Sequence, residues 1–499
     1  MSIRKHFLSV SAWTAASRVL GFVRDVLIAG ILGAGRASDI FFAAFKIPNM
    51  FRSILGEGAL QASFVPMFVE RDKADKTGAA DFASMAFSWL MAITLGITIV
   101  ALIAMPLIMW ILAPGFSAEP GKLEDAIYVG RLLFPYMILI TSVAFLSGIL
   151  NAANKFAMVA AMPALLNIFM IGGLLAAVKF GWQAAYALSF AILLSGAVQL
   201  WILWRRIRKG QFGLRLVRLK KSPDMKTLFK RMVPGIVGSG AYHINIMIGT
   251  IIASLTPGAV SWLYYADRLV QLPFAIIGLA IGTILLTSIS KALADDNVAV
   301  AHVQQNRAIL HILFWTLPAF AGLAALAGPI VKILFQRGEF TAFDTAQTAS
   351  AIALLSTALP AMSLAQVFEK TFFAAKDTKT PVKISMQAIL GGTAMAIILY
   401  PFMGFLSVAL GTALSSWSRM LIMGRIAYRR GLFRLRAGTL GTAAVFALAS
   451  AAMFAGLKSF EISDIFGLAA AIAVSGGVYL AAMKIFLKIA KKSNNMNRN

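Results

Sequence analysis

"SRVLGFVRDVLIAG" occupies residues 17–30 and carries Arg18, Arg24 and Asp25 inside an apolar run long enough to cross a bilayer. A charge at the centre of a lipid-facing helix costs roughly 2.5–3.5 kcal/mol, against about −0.3 to −0.6 kcal/mol for each Leu, Ile, Phe or Val. Three such charges offset most of the apolar gain of one span. They must therefore face a protein interior or a water-filled cavity.

Working outward, lipid is the solvent of the whole chain. Its 499 residues are 59% hydrophobic and only 13% charged, where a soluble chain carries about 25%. Apolar stretches of membrane-crossing length recur, as at 86–112, 158–178, 183–204, 439–457 and 465–487. Barrel strands would be about ten residues long with strict alternation, and nothing reads so. The fold expected is an all-α polytopic membrane protein of about fourteen spans. They lie near 8–32, 38–68, 81–113, 125–150, 158–179, 182–204, 227–255, 260–291, 307–336, 342–373, 381–402, 404–428, 439–457 and 464–487. The first apolar segment shows no cleavage site and reads as a retained helix. With no cysteine, disulfides and Cys-ligated metals are excluded.

The net charge of +26 invites a nucleic-acid partner, but its distribution argues against one. With the N-terminus placed in the cytoplasm, about 33 of the Lys and Arg residues fall on the inner side and about 6 on the outer. This positive-inside bias puts both termini in the cytoplasm. The densest cluster, "WRRIRKGQFGLRLVRLKK" at 204–221, reads as a topology anchor against anionic headgroups.

A shift of about 222 residues lays "AFKIPNMFRSILGEGALQASFVP" (44–66) over "ADRLVQLPFAIIGLAIGTILLTS" (266–288), with Gly56 on Gly278 and Lys46 on Arg268. An even number of spans separates the copies, so the halves share one orientation, related by a pseudo-two-fold along the membrane normal. The expected division is an N-lobe at 1–204, a basic cytoplasmic linker at 205–226 and a C-lobe at 227–428. Two further spans and a cytoplasmic tail follow at 429–499.

Seven basic residues lie within the spans: Arg18, Arg24, Lys46, Arg52, Arg131, Arg268 and Arg419. Arg18 and Asp25, seven residues apart, are nearly eclipsed on a helix, as are Asp39 and Lys46. Gly21 allows bending between Arg18 and Arg24, and Pro48 kinks span two between Lys46 and Arg52. The excess of guanidinium over carboxylate suggests an anion, since Arg binds phosphate bidentately and stays charged when desolvated. The alternative is internal pairing of Arg24 with Asp25, Lys46 with Asp39, and Arg268 with Asp267. Both readings stand at this point.

The stretch 17–68, from "SRVLGFVRD" through "SDIFFAAFKIPNMFRSILGEGALQASFVPMF", resembles the N-terminal signature of the MurJ (MviN) family. "LYYADRL" (263–269), "FQRGEFTAFD" (335–344) and "FFAAKDTKTPVKI" (372–384) resemble it too, so the likeness spans nearly the whole chain. The family comprises lipid II flippases of the multidrug/oligosaccharidyl-lipid/polysaccharide exporter superfamily. The resemblance implies two six-helix lobes around a cationic cavity, with two final helices forming a groove for the lipid tail. It implies substrate contact by Arg18, Arg24, Asp25, Arg52 and Arg268, with Asp39, Lys46, Asn49 and Glu57 as supporting cavity positions. Two departures are Gln271, where some relatives carry a carboxylate, and His243 and Asn245 in span seven, where others place an acid of a sodium site. Membrane potential is then the expected driver. The expected partners are lipid II, the phospholipid membrane and other cell-wall synthesis proteins, with no cofactor or metal, in the bacterial inner membrane. Competing readings are an O-antigen-type flippase, a drug exporter, or an intramembrane polyprenyl-phosphate enzyme. The last is disfavoured because the four histidines form no HExxH-like pair and no P-loop is present.

Overall fold

Lipid cannot satisfy backbone N–H and C=O groups, so apolar runs of this length must bond internally as helices. The computed structural model describes residues 3–54, 60–208, 213–460, 462 and 464–496, with side chains except at 3–7, 62, 237–242 and 486–496. Every regular element among the described residues is helical. Among the described residues, eleven helices are long and apolar enough to cross a membrane, from Lys76–Ile103 to Ile465–Ile485. The chain is a multi-span membrane protein.

Three expected spans fall outside that set. Helix Ile3–Leu32 is continuous over 30 residues but carries the charges of the opening stretch. The segment 38–68 is not one helix: Arg36–Phe51 contains Pro48 and passes into a π turn at 52–54, and a new helix runs Leu60–Ala74. Helix Pro223–Ser254 runs through 237–242, whose side chains are not described, and its described apolar stretch is His243–Ser254.

The contacts divide the chain into two units. The first holds Met1–Ser261 with Arg337–Phe340, and the second holds Trp262–Gln336 with Thr341–Asn499. In the first, helix Pro223–Ser254 is tied in by Arg71 Nη2 to Asp224 Oδ1 at 2.6 Å and by the Gly115 amide to Ser254 Oγ at 3.2 Å. Residues 337–340 lie on the end of helix Ile3–Leu32, where the Glu339 amide donates to the Gly30 carbonyl at 3.0 Å. Two glycines make this approach possible. Gly33 has φ +69°, and a Cβ there would lie 2.5 Å from the Glu339 oxygen; Gly338 has φ +56°, and its Cβ would meet the Gly30 oxygen at 2.1 Å. The first unit's aromatic core runs through Phe64, Phe82 and Phe145. The second unit's core gathers Ile289, Ile312, Val367, Phe372 and Met423.

The internal repeat is written in the element bounds. Helix Lys76–Ile103 recurs as Val298–Ala325, and Tyr136–Ala152 as Ala358–Ala374, each displaced by about 222 residues at both ends. Asn154 and Lys376 hold the same left-handed turn, with φ of 58° and 60°. The π turn after Pro48 has its counterpart in Ala275–Leu279, directly after the helix containing Pro273. Each copy also ends in a basic strap, held by helix Lys76–Ile103 in the first and by Val298–Ala325 in the second. The Arg215 amide donates to Ser84 Oγ at 3.2 Å, and the Arg436 amide to Asn306 Oδ1 at 3.1 Å. The final helices join the second unit partly through Tyr479 Oη, which donates to the Phe314 carbonyl at 2.9 Å.

Candidate functional site

The charges of the opening stretch meet two different environments on one helix. Arg18 is exposed and makes no hydrogen bond or ion pair with any described residue. Arg24 and Asp25 are both buried. Arg24 Nε and Nη2 donate to Asp25 Oδ1 at 3.0 and 2.6 Å, and Nη1 donates to Asn167 Oδ1 at 2.8 Å. Asn167 lies on helix Phe156–Phe180 and also donates through Nδ2 to the Ser17 carbonyl at 2.9 Å. The internal pairing left open by the sequence is therefore present for Arg24 and Asp25.

It is not present for Asp39 and Lys46. Asp39 is fully buried, and its carboxylate accepts from Lys122 Nζ at 3.1 Å, the Gly258 amide at 2.8 Å, the Ser261 amide at 3.0 Å and Ser261 Oγ at 2.7 Å. Seven residues of helix put Lys46 about 10 Å further along the axis, beyond an easy ion pair. Lys46, half-buried, donates to Thr250 Oγ1 on helix Pro223–Ser254. Lys122 reaches Asp39 because Gly121, at φ +74°, turns the chain just before it. Glu119 Oε1 at 2.7 Å and the Phe116 ring at 4.6 Å complete its enclosure.

Further along, half-buried Arg52 donates through Nε to Asn49 Oδ1 at 2.9 Å, across the turn that follows Pro48. Glu57 lies outside the described residues. In the second unit, Arg268 is exposed on helix Ala259–Phe274. Its Nε and Nη2 lie 3.2 and 3.0 Å from Tyr264 Oη, and its guanidinium carbon lies 5.1 Å from that ring's centroid. One turn on, Gln271 donates to Asp267. The structure thus joins Arg24 to Asp25 and Arg52 to Asn49, and assigns Asp39 to Lys122 rather than Lys46. Helix Ile3–Leu32 thus carries Arg18 and Arg24, helix Arg36–Phe51 carries Lys46, and Arg52 follows in the π turn.

A family model described as lipid II flippase MurJ matches residues 28–476. The chain belongs to the MurJ family. Among curated MurJ relatives, a probable lipid II flippase of Rhizobium tropici is 36% identical over 438 residues, covering 86% of this chain and 82% of that one. Its counterpart in Rhizobium meliloti (strain 1021) is 33% identical over 501 residues, covering 98% and 94%. A solved structure of lipid II flippase MurJ in an inward closed conformation shares the fold, with a TM-score of 0.82 at 24% identity over 97% of this chain and 99% of that one. An inward-facing multidrug-resistance MATE transporter shares it more distantly, with a TM-score of 0.71 at 17% identity over 83% and 94%.

Two buried polar residues of this MurJ-family chain escape the sequence reading. Asn167 left a signal, because it is the one strongly polar side chain in the apolar run 156–178, and such groups in a membrane must find partners. Lys122 left none. It sits in "EPGKLED", which reads as a solvated loop, and only tertiary packing buries it.

Proposed function

We propose that this chain is a lipid II flippase. It carries the undecaprenyl-diphosphate-linked disaccharide-pentapeptide from the cytoplasmic to the periplasmic leaflet of the bacterial inner membrane by alternating access. It is a transporter, not an enzyme. In this reading both termini are cytoplasmic, and 1–204 and 227–428 act as lobes joined by the basic linker 205–226. Residues 429–499 supply the two final spans and the tail. The diphosphate is met by Arg18, Arg24, Arg52 and Arg268, with Asp25, Asp39, Lys46, Asn49 and Glu57 supporting them.

The observation that carries the reading is Arg18: a permanent cation on the first long helix of a multi-span membrane protein, with no anionic partner among the described residues. Such a charge is too costly in lipid to keep without a use, and an anion passing through the protein supplies one. Membrane potential is the driver in this reading, since span seven offers His243 and Asn245 in place of an acid.

The test is a reconstituted vesicle assay with lipid II added to one leaflet and its headgroup probed on the other. Translocation that fails in Arg18→Ala at normal abundance supports the proposal. Inactivity toward lipid II alongside transport of an O-antigen-type lipid would replace it with the neighbouring reading.

A further inference from the structure

We infer that Asn167 is a positioning residue that aims Arg24 at the substrate diphosphate, acting through the guanidinium without touching the substrate. This rests on the reading that Arg24 meets the diphosphate. The argument starts from cost. Asn167 is 5% exposed in an otherwise apolar stretch, and a buried amide without partners is penalised by several kcal/mol.

Both ends of that amide are used. Oδ1 takes the Arg24 Nη1 proton at 2.8 Å, and Nδ2 donates to the Ser17 carbonyl at 2.9 Å. The orientation follows from chemistry: arginine only donates and a carbonyl only accepts, so a flipped amide would set like poles together at both ends. Gly21 of helix Ile3–Leu32 packs beside this amide, where a Cβ would make an ordinary contact 3.4 Å from Asn167 Nδ2.

The guanidinium has five N–H groups. Two go to Asp25, one goes to Asn167, and another points at Met170 Sδ at 3.8 Å. One N–H of Nη2 is left over. Asp25 is Arg24's neighbour on the same helix and moves with it. Asn167 stands on a different helix and fixes the plane of the fork against helix Phe156–Phe180. Being neutral, it does this without adding a second negative charge beside the group that must attract an anion.

The experiment is a double-mutant cycle on the full chain in lipid nanodiscs, reading lipid II affinity and the thermal midpoint. Asn167→Ala is expected to weaken lipid II binding about ten-fold, the worth of one oriented charged hydrogen bond. In an Arg24→Ala background the same change should add nothing to the loss. Asn167→Asp keeps the shape and the acceptor, so it is expected to fold, and it should also weaken binding because its carboxylate competes for Arg24. Equal losses from Asn167→Ala in both backgrounds, or wild-type affinity in Asn167→Asp, would overturn the assignment. Arg24→Ala with undiminished affinity refutes the diphosphate contact itself. Arg24→Ala weak beside Asn167→Ala normal refutes only the role of Asn167.

Discussion

Replacing Asp39 by Ala should be the most damaging single change outside the arginines, and its partner change Lys122→Met should be clearly milder. In Asp39→Ala the buried Lys122 ammonium loses a contact at 3.1 Å, and the Gly258 and Ser261 amides lose theirs at 2.8 and 3.0 Å. Breaking a buried ion pair costs about 3–5 kcal/mol, and each orphaned buried N–H adds about 1–3 kcal/mol. Lys122 keeps Glu119 at 2.7 Å, which softens the loss without removing it. In Lys122→Met the carboxylate keeps three donors, from Gly258 and from both groups of Ser261. The loss is then two charged hydrogen bonds, the buried one to Asp39 at about 1.5–3 kcal/mol and the part-exposed one to Glu119 at about 0–1 kcal/mol. The assay is the fraction of detergent-solubilised protein that stays monodisperse after heating. Asp39→Ala should melt lowest and Lys122→Met between it and the wild type. The double variant should melt no lower than Asp39→Ala, because the stranded ammonium is gone. A Lys122→Met protein that melts at or below Asp39→Ala would refute this account of the carboxylate.

Other outcomes follow from the same geometry. If the Arg24–Asp25 contact were only an internal ion pair, Arg24→Ala/Asp25→Ala would restore flipping lost in Arg24→Ala; the diphosphate reading expects the double variant to stay inactive in the vesicle assay. Asp377, in the turn before helix Lys379–Met403, is held down to about 2, first by the Thr380 hydroxyl and amide and then by Arg430. Its folded value lies below its unfolded one, so its stabilisation is full above about pH 4 and fades as the pH falls toward 2. Asp377→Ala should cost about 0.5–2 kcal/mol at neutral pH, and its melting deficit relative to wild type should shrink in acid; a deficit unchanged at pH 2 would count against the cause. A reporter fused after Lys221 or at the C-terminus should read cytoplasm and one at 256–259 periplasm, and a reversed pattern would overturn the orientation.

The sequence by itself determined the solvent, the helical class and the residues worth asking about. Composition and run length suffice for that, because a bilayer leaves a chain this apolar no option but helices. The repeat was legible for a related reason: two copies of one unit must place helices and turns at matching intervals, as the left-handed turns at Asn154 and Lys376 do. Side-chain partnership was not legible. Helical periodicity set Asp39 and Lys46 on one face, yet their separation along the axis left Asp39 to Lys122, which arrives from a glycine turn more than eighty residues away. Periodicity likewise placed Arg18 and Arg24 on one helix but could not tell that one is exposed and the other gripped by Asp25 and Asn167. Periodicity encodes direction from a single axis. Which group lies in that direction depends on the neighbouring helix, and only the tertiary structure supplies it.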